Sequence, residues 1–202
     1  MLETAIPKQR ERLEGAIGDD SIDGGSDDAF VLAARRNPTC FAALYRRYAG
    51  RVYRYLYGKV GNQAEAEDLT SQVFLEALKA LPRYRPQGTF AAWLFTLARR
   101  RAIDLHRQDK GELPVDWLEE RAGVEPEPLL QAIRSEDLRR LTHLYNQLSE
   151  EKQELIRLRY AAGLSYNEIG RILGTSQAAA GMAIHRTLQW FKEHWEDENE
   201  RA

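Results

Sequence analysis

Apolar residues recur at steps of three and four along most of this chain, which is the spacing of one face of an α-helix. The clearest stripe runs over residues 41–56, and similar stripes cover residues 69–81 and 90–98. No segment alternates apolar and polar residues with the period of two that a half-buried strand shows. The chain is therefore predicted to be all-α.

Capping and breaking residues divide this pattern into separate helices. Asp27 is predicted to cap the first helix, which ends at Asn37 because a residue before proline disfavours the helical region. Thr39 is predicted to cap the second helix, and Thr89 is predicted to cap the helix that begins at Phe90.

Two segments interrupt the helical periodicity. Residues 1–26 are acidic and rich in glycine and serine, and residues 109–134 combine acids with prolines and glycines. Such compositions are typical of flexible tails and linkers. We therefore predict two small helical domains, over residues 27–108 and 135–197, joined by a flexible acidic linker.

The second predicted domain carries the pattern of a helix-turn-helix. Ser165 and Glu168 have the spacing of a capping box, Gly174 supplies a turn, and Ser176 caps the next helix. In a helix-turn-helix the second helix enters the major groove of DNA. Small helical proteins also use such turns for packing alone, which is the alternative interpretation.

The net charge of −2 hides a strong asymmetry. Residues 28–108 carry 14 Lys and Arg against 6 Asp and Glu, whereas residues 1–27 and 109–134 are both acidic. A basic block between acidic segments suits a polyanionic partner. A solvated basic surface is the alternative.

Arginines cluster on the helix that begins at Phe90. Arg99–Arg101 fan over nearly a whole helical turn, so some of them reach outward as phosphate ligands. In the preceding loop, Tyr84 beside Arg85 offers a stacking surface for an unpaired base. Alternatively, the basic end of the helix is simply solvated and Tyr84 is a lid on the core.

An acidic face interrupts the basic domain. A face that repels nucleic acid beside a face that attracts it suggests a protein partner, although solvated acidic faces are common. Its members are Glu65, Glu67, Asp68, Gln72 and Glu76.

Catalytic and metal sites find little support. The single cysteine, Cys40, excludes an internal disulfide and a cysteine-rich zinc site, and the four histidines lack metal-ligand spacing. Asp68 and Glu76 lie about 12 Å apart along one helix, too far for a shared acid–base site. We predict no enzymatic activity and no cofactor.

Two further absences point to a cytoplasmic protein. The sequence has no run of eighteen apolar residues, so no membrane insertion is predicted. Its first fifteen residues, MLETAIPKQRERLEG, lack the apolar region of a secretory signal.

Three stretches in order resemble the extracytoplasmic-function (ECF) branch of the bacterial sigma-70 family. They are AEAEDLTSQVFLEAL, TFAAWLFTLARRRAIDLHR and LSEEKQELIRLRYAAGLSYNEIGRILGTS. The resemblance covers most of residues 28–107 and about 135–195. It implies an alternative sigma factor that binds bacterial core RNA polymerase and promoter DNA, and that an anti-sigma factor or another regulator restrains.

The resemblance also implies a role for each block of residues. It implies that residues 64–81 dock on the clamp coiled coil of the largest polymerase subunit, and that the helix-turn-helix docks on the polymerase flap. The expected polymerase-binding residues are Asp68, Leu69, Gln72, Phe74 and Glu76. The expected residues for the melted minus-ten element are Tyr84, Arg85, Trp93, Arg99, Arg100, Arg101 and Arg107. The expected residues for the minus-thirty-five element are Ser176, Gln177, Ala178, His185 and Arg186.

The chain departs from the family pattern in two places. The family often has asparagine where Arg100 stands, so its usual minus-ten preference does not carry over. Lys or Arg is usual at the positions of Gly181 and Ala183, and the recognition helix here is nearly uncharged. Fewer phosphate contacts mean weaker, less salt-dependent binding, so we expect a weak or partner-dependent minus-thirty-five contact.

Two rival functions stay open from the sequence. One is a stand-alone helix-turn-helix regulator, which would bind duplex DNA tightly without polymerase. The other is a sigma-like decoy that occupies polymerase without opening promoters, and the uncharged recognition helix is compatible with it.

Overall fold

The computed structural model describes residues 27–85, 89–106 and 128–201. Within these ranges it contains α-helices, short 3-10 turns and one π-helical turn, and no strand. The prediction of an all-α fold is confirmed. The helices are α1 (Asp27–Arg36), α2 (Phe41–Val60), α3 (Gln63–Ala80), α4 (Phe90–His106), α5 (Pro128–Gln147), α6 (Glu150–Ile156), α7 (Tyr166–Leu173) and α8 (Gln177–Arg201).

Helices α1–α4 form the first domain around an aromatic-rich core. Tyr55 of α2 is fully buried, and its ring lies edge-on to Phe95 of α4 with the centroids 5.6 Å apart. On α3, Phe74 packs edge-on against Tyr45 at 4.7 Å. Edge-to-face aromatic pairs of this kind add to the stabilisation from apolar burial. The apolar stripes of α2, α3 and α4 therefore face one another, as the sequence pattern predicts.

The helix ends follow local chemistry, with two corrections. Asp27, predicted to cap the first helix, is itself the first residue of α1. Thr89 caps α4, because its hydroxyl oxygen accepts a hydrogen bond from Ala92 N at 3.2 Å. Thr39 does not cap α2: it lies inside the short turn Pro38–Cys40, whose cap is the Asn37 side chain. A proline at the first position of that turn makes Asn37 the last extended residue and therefore the cap.

Helices α5–α8 form the second domain, and α7 and α8 form the helix-turn-helix. The Ser165 hydroxyl accepts a hydrogen bond from Glu168 N, and the Glu168 carboxylate accepts one from Ser165 N, which is the predicted capping box. Gly174 ends α7 with φ 70°, a left-handed conformation that glycine adopts without steric cost. Ser176 caps α8 through Ala179 N at 3.1 Å.

The boundary of the predicted linker needs correction. Helix α5 begins at Pro128, so residues 128–134 are helical and only residues 109–127 remain of the predicted linker. Proline is favourable at a first helical position because its φ is already helical. The predicted tail (residues 1–26) and residues 107–127 lie outside the described residues, and the exact bounds of the two domains stay a prediction.

The two domains pack against each other. Buried side chains of the second domain join the aromatic core of the first in one continuous apolar cluster. Helix α7 lies against α4, and the π-helical turn Arg157–Ala161 lies against α2. The sequence pattern did not predict this contact. The second-domain residues in the cluster include Leu155, Leu158, Leu164, Ile169 and Ile172.

We predict that Gly170→Ala destabilises the second domain. A Cβ atom at Gly170 would lie 2.8 Å from the carbonyl oxygen of Thr175, and that backbone belongs to the turn of the helix-turn-helix. We expect the free energy of unfolding to fall by about 1–3 kcal/mol, as for other overpacked sites. Urea unfolding followed by circular dichroism measures this.

Gly181→Ala is the matched control. A Cβ atom there would meet the Tyr166 ring at 3.5 Å, an ordinary contact distance. Since alanine favours helix over glycine, we expect Gly181→Ala to raise stability by about 0.5–1 kcal/mol. Equal stability of Gly170→Ala and the unsubstituted protein would contradict the steric argument.

Candidate nucleic-acid and protein interfaces

The outer face of α3 is an exposed, mixed polar and apolar surface. Asp68 is exposed, and its carboxylate accepts a hydrogen bond from Gln72 Nε2 at 2.7 Å. Leu75 is 56% exposed, which is unusual for a leucine in the middle of a helix. Gln72 and Leu75 line a groove of about 440 Å³ between α3 and α4. The groove is lined by Gln72, Leu75, Glu76, Lys79, Ala80, Arg83 and Arg101.

Two residues expected on this surface lie beneath it. Leu69 is 5% exposed and Phe74 is 4% exposed, so neither side chain forms part of the outer face. Both sit on the apolar stripe of α3, where helical spacing points them towards α2. Leu69 and Phe74 therefore hold α3 in position by packing in the core. The exposed apolar side chain on this face is Leu75, which the sequence pattern did not single out.

Glu76 connects this face to the basic helix α4. Its carboxylate lies 2.6 Å from Arg101 Nε in a hydrogen-bonded ion pair, and both side chains are partly exposed. Surface pairs of this kind contribute little to stability, at most about 1 kcal/mol. The pair matters more for the two surfaces that it connects. Glu76 is an expected contact of polymerase, and Arg101 is an expected contact of DNA.

The arginines of α4 differ in what surrounds them. Arg100 is exposed, and so is Arg85 in the preceding segment. Arg99 lies 3.3 Å from Glu154 of the second domain. Arg107 lies outside the described residues. Among the expected minus-ten arginines that the structure describes, Arg85 and Arg100 are thus the most exposed.

Tyr84 is a lid on the core in this conformation. It is 6% exposed, and its ring centroid lies 4.7 Å from that of Trp93 and 6.0 Å from that of Phe90. Trp93 itself is half-buried. The structure therefore matches the alternative interpretation, in which Tyr84 covers the core. Stacking on an unpaired base would require the Tyr84 ring to move away from Trp93 and Phe90.

The expected minus-thirty-five residues do form one exposed face of α8. They follow the four-residue steps 177–181–185 and 178–182–186, which place them on adjacent strips of the helix. The centre of this face is uncharged, since Gly181 lies under the Tyr166 ring and Met182 is 56% exposed. The exposed members are Ser176, Gln177, Ala178, His185 and Arg186.

A buried carboxylate lies where the two domains meet. Glu154 of α6 is 4% exposed, and it accepts a hydrogen bond from the Tyr55 hydroxyl at 2.7 Å. Lys59 Nζ lies 2.9 Å from the same carboxylate, and Arg157 Nη2 lies 3.4 Å from it. With Arg99, three cations and one hydroxyl therefore converge on Glu154.

Arg157 completes this cluster from the second domain. It is fully buried, and its Nη1 donates hydrogen bonds to the Tyr145 hydroxyl at 2.9 Å and to the Gly58 carbonyl at 3.3 Å. A buried guanidinium is tolerated only when it is paired and hydrogen-bonded. Here part of that pairing comes from α2 of the first domain.

The charges around Glu154 set its protonation. Burial alone would raise the pKa of this carboxyl, but the positive charges of Lys59 and Arg157 outweigh burial and hold the pKa below its ordinary value of 4.5. Burial and the Glu154 charge raise the pKa of Tyr55 well above 10.0, so this hydroxyl stays a donor. The Glu154 carboxylate is thus ionised at neutral pH.

Three further side chains of the first domain bind the second domain. Arg51 Nε donates to the Ala162 carbonyl at 2.6 Å, and Arg54 Nε donates to the Ala161 carbonyl at 3.4 Å. These carbonyls follow the C-terminal end of α6, where the helix dipole favours cations. The Thr89 hydroxyl donates to the Glu168 carboxylate at 2.7 Å, joining the start of α4 to the start of α7.

Sequence reasoning missed this cluster, although a signal exists. Glu154 and Arg157 are three residues apart, on the same side of the helix as the apolar Leu158 and Ala161. Charged residues inside an apolar stripe point to a buried ion pair. The sequence gives no indication that their partners come from the other domain.

Among the described residues, no helix is long and apolar enough to cross a membrane. Nor do the described residues bring together three or more histidine, cysteine, aspartate or glutamate side chains that could hold a metal ion.

An exposed helix-turn-helix beside an arginine-rich helical domain defines a protein of the DNA-binding transcription factor class. Comparison with known families places it further: residues 44–112 match the model for sigma-70 region 2, and residues 138–191 match the model for sigma-70 region 4. The first matched segment covers α2–α4 except for residues 41–43, and the second covers α5–α8 except for ten residues at each end.

Curated relatives agree with these models. The chain is 36% identical to the ECF RNA polymerase sigma factor BldN of Streptomyces coelicolor, over 74% of this chain and 58% of BldN. It is 32% identical to the ECF sigma factor ShbA of Streptomyces griseus, over 86% of this chain and 91% of ShbA. The chain belongs to the ECF branch of the sigma-70 family. Proteins of this family are non-enzymatic transcription initiation factors.

A solved structure shares the fold. The structure of CnrH in complex with the cytosolic domain of CnrY superposes with a TM-score of 0.63 and 22% sequence identity. The match covers 85% of this chain and 97% of that chain.

We predict that Glu154→Gln makes stability less sensitive to acid. A depressed pKa in the folded state stabilises the protein above the ordinary pKa, and this stabilisation is lost as the pH falls through the folded-state pKa. We expect Glu154→Gln to lower the free energy of unfolding by about 3 kcal/mol at neutral pH, since it removes one partner of a buried pair. Urea unfolding at neutral and at acidic pH measures the change.

The difference in stability between Glu154→Gln and the unsubstituted protein should begin to shrink once the pH falls below about 4.5. It should shrink further as the pH passes the lower pKa of Glu154 in the folded protein, where this carboxyl becomes neutral. The control is Glu151→Gln, which neutralises an exposed carboxylate of the same helix. A difference that is independent of pH would contradict the assignment of a low pKa to Glu154.

Proposed function

We propose that this protein binds bacterial core RNA polymerase through α3, captures the melted minus-ten element on α4 and contacts the minus-thirty-five element through α8. It acts in the cytoplasm and performs no bond chemistry, because polymerase supplies the catalysis. The observation that carries the proposal is the adjacency of an exposed docking face on α3 and exposed arginines on α4, in a chain that belongs to this family.

The docking face on α3 has the composition of a protein interface. It combines the carboxylate of Asp68, the amide of Gln72 and the exposed apolar side chain of Leu75 beside a groove. An apolar anchor next to a groove and ringed by polar groups is how binding energy concentrates in protein interfaces. We therefore assign this face to polymerase.

In the free protein the proposed minus-ten contact offers exposed positive charges, and base stacking becomes available only when Tyr84 moves. Arg85 and Arg100 are exposed and available to phosphates, whereas Tyr84 lies in the core beside Trp93. We propose that Tyr84 leaves this position as an unpaired base enters. Stacking of a base on an aromatic side chain contributes about 1–3 kcal/mol, which offsets part of the cost of melting.

The minus-thirty-five contact is proposed to be weak or to depend on polymerase. Gln177 has the functional group that reads adenine by a pair of hydrogen bonds, and His185 and Arg186 lie at the exposed end of the same face. The centre of that face is uncharged, so few phosphate contacts are available. Polymerase would then supply most of the affinity for the promoter.

A regulatory protein is the second proposed partner. Family members are commonly restrained by an anti-sigma factor, and the solved structure of similar fold holds CnrH with the cytosolic domain of CnrY. We propose that a protein of comparable role binds this chain.

A sigma-like decoy is the second candidate function, and the uncharged face of α8 favours it. A decoy would bind core polymerase and give no transcript from any promoter, so transcription in vitro separates the two. A stand-alone helix-turn-helix regulator is disfavoured by the same face, because tight duplex binding needs phosphate contacts.

Asp68→Arg is expected to weaken binding to core RNA polymerase by about tenfold or more, which corresponds to roughly 1.4 kcal/mol. The substitution reverses a charge at the centre of the docking face without touching the core. Fluorescence anisotropy of the labelled protein with core polymerase measures the change.

The matched control is Glu193→Arg, which reverses an exposed carboxylate of α8, outside this face. We expect a much smaller effect from it. An equal loss of affinity in both variants would mean that net charge alone drives the association. Unchanged binding of Asp68→Arg would show that polymerase does not dock on this face.

Arg100→Ala is expected to impair promoter opening while leaving core polymerase binding intact. Arg100 is exposed and far from the core, so its loss removes a phosphate or base contact and leaves the fold unchanged. Permanganate reactivity of unpaired thymines, measured with a promoter selected by the unsubstituted protein, reports opening. Arg36→Ala, an exposed arginine of α1, is the control and should open the promoter normally. Normal opening by Arg100→Ala would take this residue out of the minus-ten contact.

A further inference from the structure

We propose that Met182, with Ala178 one helical turn before it, contacts the methyl groups of thymines in the major groove of the minus-thirty-five element. This apolar contact selects the sequence in place of the charged contacts that α8 lacks. The inference rests on the proposed function, because it assigns the base chemistry of a DNA contact proposed there.

Met182 lies on the outward side of α8. The inward side of this helix packs in the core through Ala180, Ile184 and Thr187, each of which is at most 1% exposed. At 3.6 residues per turn, Ala178 and Met182 lie opposite that buried side. Met182 is 56% exposed, which leaves most of a large apolar side chain in water. The side of α8 that a DNA groove would meet therefore has an apolar group near its centre.

The residues around Met182 add no charge to this surface. Ala178 and Ala179 are exposed and end in methyl groups. Gly181 has no side chain, and the Tyr166 ring lies 3.5 Å from the position that its Cβ atom would take. The first nine residues of α8 include no Lys, Arg, Asp or Glu. The start of the helix therefore presents chiefly methyl and thioether groups.

Thymine is the base that such a surface distinguishes. In the major groove the other three bases present hydrogen-bonding groups, whereas thymine also presents a C5 methyl group. An apolar side chain on that methyl group removes both from water, which is favourable. The same side chain on a cytosine amino group or a guanine oxygen would leave a polar group without a partner, which costs free energy. This discrimination uses no charge, so it does not require phosphate contacts.

The spacing of the two side chains fits neighbouring base pairs. Ala178 and Met182 are the second and sixth residues of α8, and in a helix-turn-helix the first residues of the second helix contact base edges. Four residues span about 6 Å along a helix, and two base steps span about 7 Å. The flexible, unbranched Met side chain adapts to a methyl group of either strand. We therefore expect thymines at two minus-thirty-five positions about two base pairs apart.

The test removes thymine methyl groups from a promoter that the complete holoenzyme binds. The unsubstituted holoenzyme first selects promoters from DNA with a randomised minus-thirty-five region. Each thymine of the selected element is then replaced by uracil, which forms the same base pair and lacks only the methyl group. Competition binding measures the affinity of the holoenzyme for each promoter. We expect a loss of about fourfold for each contacted methyl group, the factor that burial of one such group corresponds to.

Met182→Ala identifies the side chain that contacts the methyl group. The variant should bind the thymine promoter about fourfold more weakly, and at one position it should no longer distinguish thymine from uracil, because both changes remove the same contact. The fold should be unchanged, since Met182 is exposed and alanine favours helix. The loss should be independent of salt concentration, because no charge is removed.

Leu188→Ala is the matched control. Leu188 is another exposed apolar residue of α8, at 39%, and helical spacing places it off the line of Ala178 and Met182. This variant should keep both the affinity and the full effect of uracil. Uracil in place of thymines between the minus-thirty-five and minus-ten elements is the control for the DNA, and it should change nothing.

Three results would overturn the inference. The first is a selected minus-thirty-five element without thymine, or one in which uracil leaves the affinity unchanged. The second is a Met182→Ala variant that keeps the full uracil effect at every position. The third is weaker binding of Met182→Ala to core polymerase without DNA, because Met182 would then contact protein.

Failure of the proposed function looks different. It would appear as no binding of the unsubstituted protein to core polymerase, so that no promoter could be selected, and the inference would fall with it. Normal polymerase binding and promoter opening without thymine discrimination would overturn only the present inference.

Discussion

The contact of Glu154 with three cations governs how the two halves of this protein relate. A carboxylate buried in an apolar interface costs free energy unless positive charges and hydrogen bonds surround it. Here the surrounding groups come from both domains: Tyr55, Lys59 and Arg99 from the first and Arg157 from the second. Neither domain alone supplies all the charges and hydrogen bonds that surround Glu154. Separation of the domains therefore requires water, polymerase or nucleic acid to replace these contacts.

Most of the fold could be predicted from local rules. Helical periodicity predicts α2, α3 and α4. Capping chemistry predicts the start of α4 at Thr89 and the two ends of α7 at Ser165 and Gly174. The errors also have local causes. The pattern points to Thr39 as a cap because Asn37, two residues earlier, is also where the first helix ends. The pattern predicts the start of α5 too late because prolines and acids are typical of a linker.

The candidate site was predictable in part. Spacing and charge found the exposed residues, Asp68 on α3, Arg100 on α4 and the outer face of α8, because exposed polar residues interrupt apolar stripes in a regular way. The sequence could not show that Phe74 lies beneath the docking face, that Leu75 lies on it or that Tyr84 is held by Trp93. Those facts depend on which helices become neighbours, and the packing of α6 and α7 on the first domain involves residues far apart in sequence.

The ion pair between Glu76 and Arg101 has a thermodynamic consequence of its own. One member lies on the face assigned to polymerase and the other on the helix assigned to DNA. A partner that binds Glu76 and breaks the ion pair leaves Arg101 with an unpaired charge. The attraction of Arg101 for a DNA phosphate then rises. Linkage requires the reverse effect to be of equal size, so DNA bound at Arg101 would strengthen the hold of polymerase on α3 by the same factor. Enzyme and promoter would thereby act as positive effectors of each other through one side-chain contact.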